Sequence, residues 1–333
     1  MGFEIYRFTM SWARIFPNGN DIKPNQEGLD FYDNMICELE RYHIQPVCTL
    51  YAYDLPLNLL KEYKGWMSRQ CIDDYLRYVE TVVSYFKGRV KYWIPFNEQN
   101  FLSVDAEYMT GYKTHSLGEQ FTLEHHFNLA YARATQMIHR CDPQAKTGGN
   151  IGNTCFIPMT CHPKNVEAAD NLNYQFGYNF ADVFCKGIYS QRYLNQYTTI
   201  DINTVIQAGD LEEISHAEAD FLSLTYYMSS PVDATSSNEG INMIKAKNPY
   251  TKQTDWGWNI DPYGFRHFID DFSHRYQIPI IITENGMGAY DSVEEDGNIN
   301  DDYRIQYLSD HIKQLKHSIE NGAKVLAYMT WSA

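Results

Sequence analysis

The feature that most limits what this chain can become is a regular alternation, sustained along all 333 residues, of short β-rich runs and longer amphipathic stretches. Seven runs read as strands: 4–11, 45–51, 92–96, 146–151, 221–227, 278–283 and 324–330. Between them the apolar residues follow helical spacing. Leu29, Tyr32, Ile36 and Leu39 would line one helix face near the start, and Leu308, Ile312, Leu315 and Ile319 one near the end. Asp261 and Pro262 open a further helix, the aspartate as its cap and the proline in its first turn. Strands separated by helices need crossover connections, so the pattern predicts βα units and a parallel sheet. Seven such strands are one short of an eight-stranded barrel. An open doubly wound sheet is the other arrangement with that number, but its phosphate-binding turn is missing. Gly148-Gly149-Asn150-Ile151-Gly152 follows a strand without the G-x-G-x-x-G spacing, and Gly286-Met287-Gly288 reads as a loop bend. The long gap 151–220 has room for one or two helical stretches, and 229–258 is polar and turn-rich, an excursion over the sheet edge. There are no repeats of solenoid period and no low-complexity segment. The expectation is a single domain over 1–333.

Charge and composition exclude several functions. Lys and Arg number 27 against 42 Asp and Glu, a formal net charge of −15, which argues against nucleic acid and anionic membrane surfaces as partners. With 44% hydrophobic and 21% charged residues the chain is not of the disordered class. No apolar run approaches the roughly 20 residues that span a bilayer, and no signal peptide opens the sequence. Met1-Gly2 begins like a myristoylation site, but Tyr6 stands where a Ser or Thr is required. The seven cysteines include no C-x-x-C pair, so the reading is reduced thiols in a cytosolic protein, with neither a disulfide framework nor a zinc site. The 27 Tyr and 6 Trp read first as ordinary core and surface packing, with aromatic faces stacked on the apolar C–H faces of pyranoses as the alternative.

Two strand ends carry a glutamate in nearly the same setting. The run Tyr92-Trp93-Ile94-Pro95-Phe96 leads into Asn97-Glu98, and 278–283 leads into Glu284-Asn285-Gly286. A carboxylate directly after a hydrophobic strand is an expensive place for a charge unless it is used or paired. Either glutamate alone would be read as a cap or a salt-bridge partner. Both together, at the ends where barrel enzymes keep their reactive side chains, point to paired acid/base work.

Arg7-Phe8-Thr9-Met10-Ser11-Trp12-Ala13-Arg14-Ile15, Phe96-Asn97-Glu98 and Ile282-Thr283-Glu284-Asn285-Gly286 resemble the signatures of glycoside hydrolase family 1. Asn248-Pro249-Tyr250, Asp255-Trp256-Gly257-Trp258-Asn259-Ile260-Asp261-Pro262 and Phe221-Leu222-Ser223-Leu224-Thr225-Tyr226-Tyr227-Met228-Ser229 resemble its 6-phospho-β-glucosidase branch. The resemblance extends over essentially the whole chain. It implies an α/β fold, a (β/α)8 TIM barrel, that hydrolyses β-glycosidic bonds with retention of configuration and without metal or cofactor. Glu98 would be the acid/base and Glu284 the nucleophile, their carboxyl groups about 5–5.5 Å apart. Arg7 would sit beside the nucleophile and keep it ionised. On the residues alone, an arginine between apolar neighbours on a strand expected to be buried must meet a carboxylate somewhere. Tyr227 would hydrogen-bond the nucleophile, Asn97 would hold the sugar 2-hydroxyl, and Trp331 would form an aromatic platform under the sugar. An ionised Glu284 would raise the pKa of Glu98, which then keeps the proton that the leaving oxygen needs.

Three departures from the family pattern follow from the same resemblance. The chain begins in what would be the family's second strand, without the Gln-x-Glu-Gly element. It ends at Trp331-Ser332-Ala333, before the loop in which phospho-specific members place a serine, lysine and tyrosine clamp. In Tyr51-Ala52-Tyr53-Asp54, Ala52 stands where a histidine is usual. The chain is therefore expected to be a fragment covering about strands 2 to 8, an incomplete barrel with two unpaired strand edges. Other candidates are weaker. His125-His126 lacks the spacing of a zinc helix. No Ser or Cys sits in a nucleophile elbow. Glu294-Glu295-Asp296 with Asp301-Asp302 lacks EF-hand spacing and reads as a solvated loop before a helix. The expected function is a cytoplasmic retaining glycosidase acting on a small-molecule β-glycoside, 6-phosphorylated as in cellobiose phosphate. The alternatives are a β-glucosidase for unphosphorylated sugars and an inactive remnant. Neither nucleic acid nor membrane is an expected partner, and the sequence does not fix the oligomeric state.

Overall fold

The computed structural model of the chain describes residues 2–235 and 247–332. The middle of the excursion expected at 229–258, residues 236–246, lies outside the described residues, as does Ala333. The chain divides into two compact units, Met1–Ile151 with Tyr178–Leu222, and Gly152–Gly177 with Ser223–Ala333.

In the first unit the strands β1 (Ile5–Thr9), β2 (Gln45–Thr49), β3 (Tyr92–Ile94) and β4 (Lys146–Gly152) are neighbours in chain order. All three pairings are parallel, with Arg7 opposite Val47, Val47 opposite Tyr92 and Trp93 opposite Thr147. Helices Gln26–Arg41, Gln70–Tyr85 and Leu117–Cys141 make the crossovers. The first buries Leu29, Tyr32 and Ile36, with Leu39 half-buried at the end of the same face. The last starts at Ser116, whose hydroxyl accepts from Glu119 N–H, while the Glu119 carboxylate accepts from His115 N–H at 2.7 Å. That reciprocal capping satisfies donors a helix start would otherwise leave open. The core is aromatic. Trp12, Trp66, Tyr75, Tyr78 and Phe96 are essentially unexposed, with Trp66 on Phe127 at 4.4 Å and Tyr75 on Phe96 at 4.9 Å between ring centroids. Their hydroxyls tie the ends of the strands. Tyr51 donates to Met109 O (2.7 Å), Tyr75 to Pro95 O (2.6 Å) and Tyr78 to Met10 O (3.0 Å). The strand carrying Arg7 is not buried as the sequence suggested. Tyr6 and Thr9 are exposed and the other residues of β1 only half-buried, because β1 stands at the end of the strand order with one partner, β2.

In the second unit, β6 (Phe221–Tyr226), β8 (Ile280–Asn285) and β9 (Val325–Thr330) are successive neighbours, β8 and β9 running parallel. Two short strands, β5 (Phe156–Pro158) and β7 (Ser230–Val232), form a separate parallel pair that the sequence did not reveal. Helix Pro163–Asn173 packs on β5, and Phe156, Leu172, Phe176 and Val232 make a small core of their own there. Helix Pro262–Tyr276 starts as expected, Asp261 Oδ1 accepting from Gly264 N–H at 2.8 Å. It packs against helix Asp302–Glu320. The buried stripe of that last helix is Tyr307, His311, Leu315 and Ser318. The expected stripe Leu308, Ile312, Leu315 and Ile319 shares only Leu315 with it, and Ile312 and Ile319 are 46% and 48% exposed. The helix is turned by one residue, so that Tyr307 faces inward. Its hydroxyl donates to Tyr227 O at 3.2 Å and accepts from Asn285 Nδ2 (3.1 Å), and its ring stacks on His311 at 3.9 Å.

Candidate active site

In the first unit, Asn97 and Glu98 follow β3 at the end where strands run into loops. Phe96 is locked in the aromatic core beneath them and Asn97 is buried. Glu98 takes left-handed backbone angles (φ 39°, ψ 52°) and opens a 3-10 turn, Gln99–Ser103. Few residues other than glycine accept that conformation. Here it is held by Asn150 of β4, whose Oδ1 accepts from Glu98 N–H at 2.7 Å. The Glu98 carboxylate is half-buried, and its Oε2 accepts from the Tyr53 hydroxyl at 2.8 Å. Asn97 Nδ2 donates to the same Tyr53 oxygen at 2.9 Å, and Asn97 Oδ1 accepts from the Arg7 guanidinium. Arg7 Nε also donates to Thr49 Oγ1 at 2.9 Å. The structure thus brings Arg7, Asn97 and Glu98 together, and adds Tyr53 and Asn150.

In the second unit, Glu284 is the penultimate residue of β8, still within the strand rather than in the loop after it. Its Oε2 accepts from the Tyr227 hydroxyl. Tyr227, one residue past β6, is held by its backbone, whose N–H donates to Asn153 Oδ1 at 3.0 Å. Its ring meets Trp258 at 5.0 Å and, edge-on, Trp331 at 5.6 Å. Trp331 is 43% exposed and its N–H donates to Asn285 O at 3.0 Å. Asn285 itself is fully buried. Its Nδ2 donates to Tyr226 O (2.8 Å) and to Tyr307 Oη, and its Oδ1 accepts from Tyr328 Oη (2.8 Å). A buried amide with its hydrogen-bonding capacity this well used fixes the end of the strand, and with it the backbone of Glu284. Gly286 is required by close approach, since a Cβ there would lie 2.1 Å from Trp331 O. Of the expected residues, this unit brings Tyr227, Glu284 and Trp331 together.

Sequence reading missed Tyr53, Asn150 and Asn285. The one signal for Asn285 was its place between Glu284 and Gly286. Nothing local marked Tyr53 or Asn150. The remaining candidates are placed as follows. His125 is buried between Asp210 (2.9 Å) and the Tyr189 hydroxyl (2.9 Å), and His126 faces Trp66 O (2.8 Å). Burial lowers the pKa of both, that of His126 to about 4, so His126 is a neutral core residue. The Gly148-Gly149 pair lies within β4 under aromatic rings, those of Phe221 and Phe184. The acidic segment 292–302 is exposed and leads into helix Asp302–Glu320. All seven cysteines are free thiols. Among the described residues no helix is long and apolar enough to cross a membrane, and no group of His, Cys, Asp and Glu is arranged to hold a metal ion.

Known proteins supply the family. The model of glycosyl hydrolase family 1 matches residues 1–333. An aryl-phospho-β-D-glucosidase, BglH, of Bacillus subtilis (strain 168) is 39% identical over 341 residues, covering 99% of this chain and 72% of that protein. A 6-phospho-β-glucosidase of Clostridium longisporum is 40% identical over 345 residues, with the same two shares. Among solved structures, the family 1 β-glucosidase of Thermotoga maritima superposes with a TM-score of 0.87 at 29% identity, covering 99% of this chain and 73% of that one. The same enzyme in complex with deoxynojirimycin gives 0.87 over 99% and 74%. Parallel strands joined by helical crossovers, a glutamate at the end of β3 and another at the end of β8, and these likenesses over the full chain lead to one conclusion: the chain is a glycoside hydrolase of family 1, with that family's (β/α)8 TIM-barrel fold.

Proposed function

We propose that this chain hydrolyses 6-phospho-β-glucosides by double displacement, with Glu284 as nucleophile and Glu98 as acid/base. The observation that carries the reading is the matched treatment of the two carboxylates. Glu284 is the penultimate residue of β8 and Glu98 lies four residues past β3; each is half-buried, and each accepts a tyrosine hydroxyl on Oε2. In the first step Glu98 protonates the leaving oxygen while Glu284 attacks the anomeric carbon and forms a glycosyl ester. In the second, Glu98 takes a proton from water as the water oxygen displaces Glu284. The Tyr227 hydroxyl donates to Glu284 Oε2 and so orients the carboxylate that makes the attack. Asn97, with its carbonyl turned to Arg7, is the residue we assign to the sugar 2-hydroxyl, and Trp331, exposed beside Tyr227, is the platform for the ring. The phosphate rests on the relatives: the two named above, at 39% and 40% identity, both carry "phospho" in their names. A 6-phosphorylated sugar is an anion that does not cross a bilayer unaided, so substrate and enzyme would meet in the cytoplasm.

The deciding assay compares p-nitrophenyl β-glucoside with its 6-phosphate. A much higher kcat/KM for the phosphate is expected, and equal values would replace this reading with a β-glucosidase for unphosphorylated sugars. Glu284→Gln should abolish turnover. Glu98→Gln should cost roughly 10²- to 10⁴-fold on substrates whose leaving group needs a proton. Turnover that survives Glu284→Gln would remove Glu284 from its role.

A further inference from the structure

Tyr53 has no task in the reading above, yet its placement is costly and specific. It lies four residues past β2 with φ at 71°, a left-handed backbone that aromatic residues seldom take. Observed strain of this kind is a reason to ask what it holds in place. The phenol oxygen accepts from Asn97 Nδ2 at 2.9 Å and donates to Glu98 Oε2 at 2.8 Å. The direction is fixed by chemistry. An amide nitrogen only donates, so the single hydroxyl proton of Tyr53 is committed to Glu98. Asn97 Oδ1 in turn accepts from Arg7, so the bonds run one way: Arg7 to Asn97, Asn97 to Tyr53, Tyr53 to Glu98. Hydrogen bonds in such a chain reinforce one another, and the charge at its head polarises every link. The Tyr53 ring is supported by Tyr108 at 4.9 Å. The alternative, a tyrosine that merely finds a partner for its hydroxyl, would need neither the left-handed backbone nor a second partner for the same oxygen.

We infer that Tyr53 is a positioning residue for Glu98: its hydroxyl occupies Oε2, so that the proton exchanged with the leaving group and with water resides on Oε1. The inference rests on the acid/base role proposed for Glu98. When Glu98 gives its Oε1 proton to the glycosidic oxygen, the C–O bond breaks and the carboxylate charge develops against the Tyr53 donor. A hydrogen bond to a carboxylate is stronger than one to the acid, so Tyr53 favours release of the proton. When Oε1 then takes a proton from water, the water oxygen bonds to the anomeric carbon and the Glu284 ester breaks. The polar groups around the Glu98 carboxylate within the first unit include Tyr53 from the loop after β2 and Asn97 beside it, with Arg7 of β1 behind Asn97 and Asn150 of β4 at its N–H.

The test is Tyr53→Phe in the full chain, which removes one oxygen from a half-buried side chain and should leave the thermal midpoint nearly unchanged. The kcat/KM for methyl 6-phospho-β-glucoside, whose leaving group needs a proton, should fall about tenfold. That for the 2,4-dinitrophenyl analogue, which needs none, should fall less than about threefold. Equal losses on both substrates, or none on either, would overturn the inference. Glu98→Gln separates the two levels. If it too shows no leaving-group split, the acid role of Glu98 fails; if it shows one and Tyr53→Phe does not, only the inference about Tyr53 fails. A second measurement needs no turnover. In a 13C NMR titration of the glutamate carboxyl carbons, Tyr53→Phe should raise the Glu98 midpoint by about one pH unit. An unchanged midpoint would overturn the inference.

Discussion

The two glutamates are treated alike at the carboxylate and very differently at the backbone. Glu284 belongs to β8, and its neighbour Asn285 ties the strand end to Tyr226 O and to the hydroxyls of Tyr307 and Tyr328. Glu98 belongs to no strand. It stands in a left-handed turn, and what holds it is side chains reaching in from other loops and strands, Asn150 and Tyr53. One carboxylate is placed by a ladder with one buried amide as its lock. The other is placed by a set of individually weaker contacts. The first arrangement concentrates its vulnerability at one residue, and the second spreads it.

The sharpest way to break this contrast is at the lock. Asn285→Ala should destabilise the chain by about 3–5 kcal/mol, since it removes at once the bonds to Tyr226 O and the Tyr328 hydroxyl and one of the two bonds of the Tyr307 hydroxyl, and leaves a buried gap. Urea denaturation measures this, and a loss near 1 kcal/mol would mean that the ladder alone holds Glu284. Next in size is the helix behind it. Leu315→Ala should cost about 2–4 kcal/mol and Ile312→Ala less than about 0.5, because only the first lies in the buried stripe. Equal costs would restore the stripe the sequence suggested. A third test compares the units by pH. Burial lowers the pKa of His126 in the first unit and His311 in the second from 6.5 to about 4. Between those values the unfolded chain binds protons that the folded chain refuses. Their contribution to stability is therefore full above pH 6.5 and is lost as the pH falls towards 4, at most about 3 kcal/mol for each. Denaturation midpoints at pH 7 and 4.5 should differ less in His126→Gln and in His311→Gln than in the parent. Smallest is Asn150→Ala, expected to cost about 1–2 kcal/mol. It should reduce turnover more than stability, since Glu98 would lose one support of several.

Most of the fold was readable because it is local. The seven expected strands lie within a few residues of their expected bounds, and the parallel pairing follows from the helices between them. Glu284 is the penultimate residue of β8, and Glu98 follows β3 by four residues, each at or just beyond the end of the hydrophobic run before it. What escaped is what distance along the chain conceals. Periodicity marks an apolar stripe on helix Asp302–Glu320, but the side actually buried is the one whose Tyr307 hydroxyl bonds Asn285 and Tyr227 O, on other elements. The contact of Tyr53 with Glu98 depends on two left-handed residues, and no propensity would place a tyrosine or a glutamate there. The pair β5 and β7 is too short to leave a pattern of its own.

The glycines of β4 have a consequence of another kind. At Gly148 a Cβ would come within 2.4 Å of the Phe221 ring, and at Gly149 within 2.0 Å of the Phe184 ring. The strand is thus clamped between two aromatic plates with no cushion of its own, and the plates set how far Asn150, the very next residue, extends towards Glu98. A single methyl group added at either glycine would act as a shim, moving the Asn150 amide without touching the Glu98 carboxylate. Such a lesion would be nearly silent in composition and hydropathy, yet would register at the Glu98 backbone that Asn150 holds.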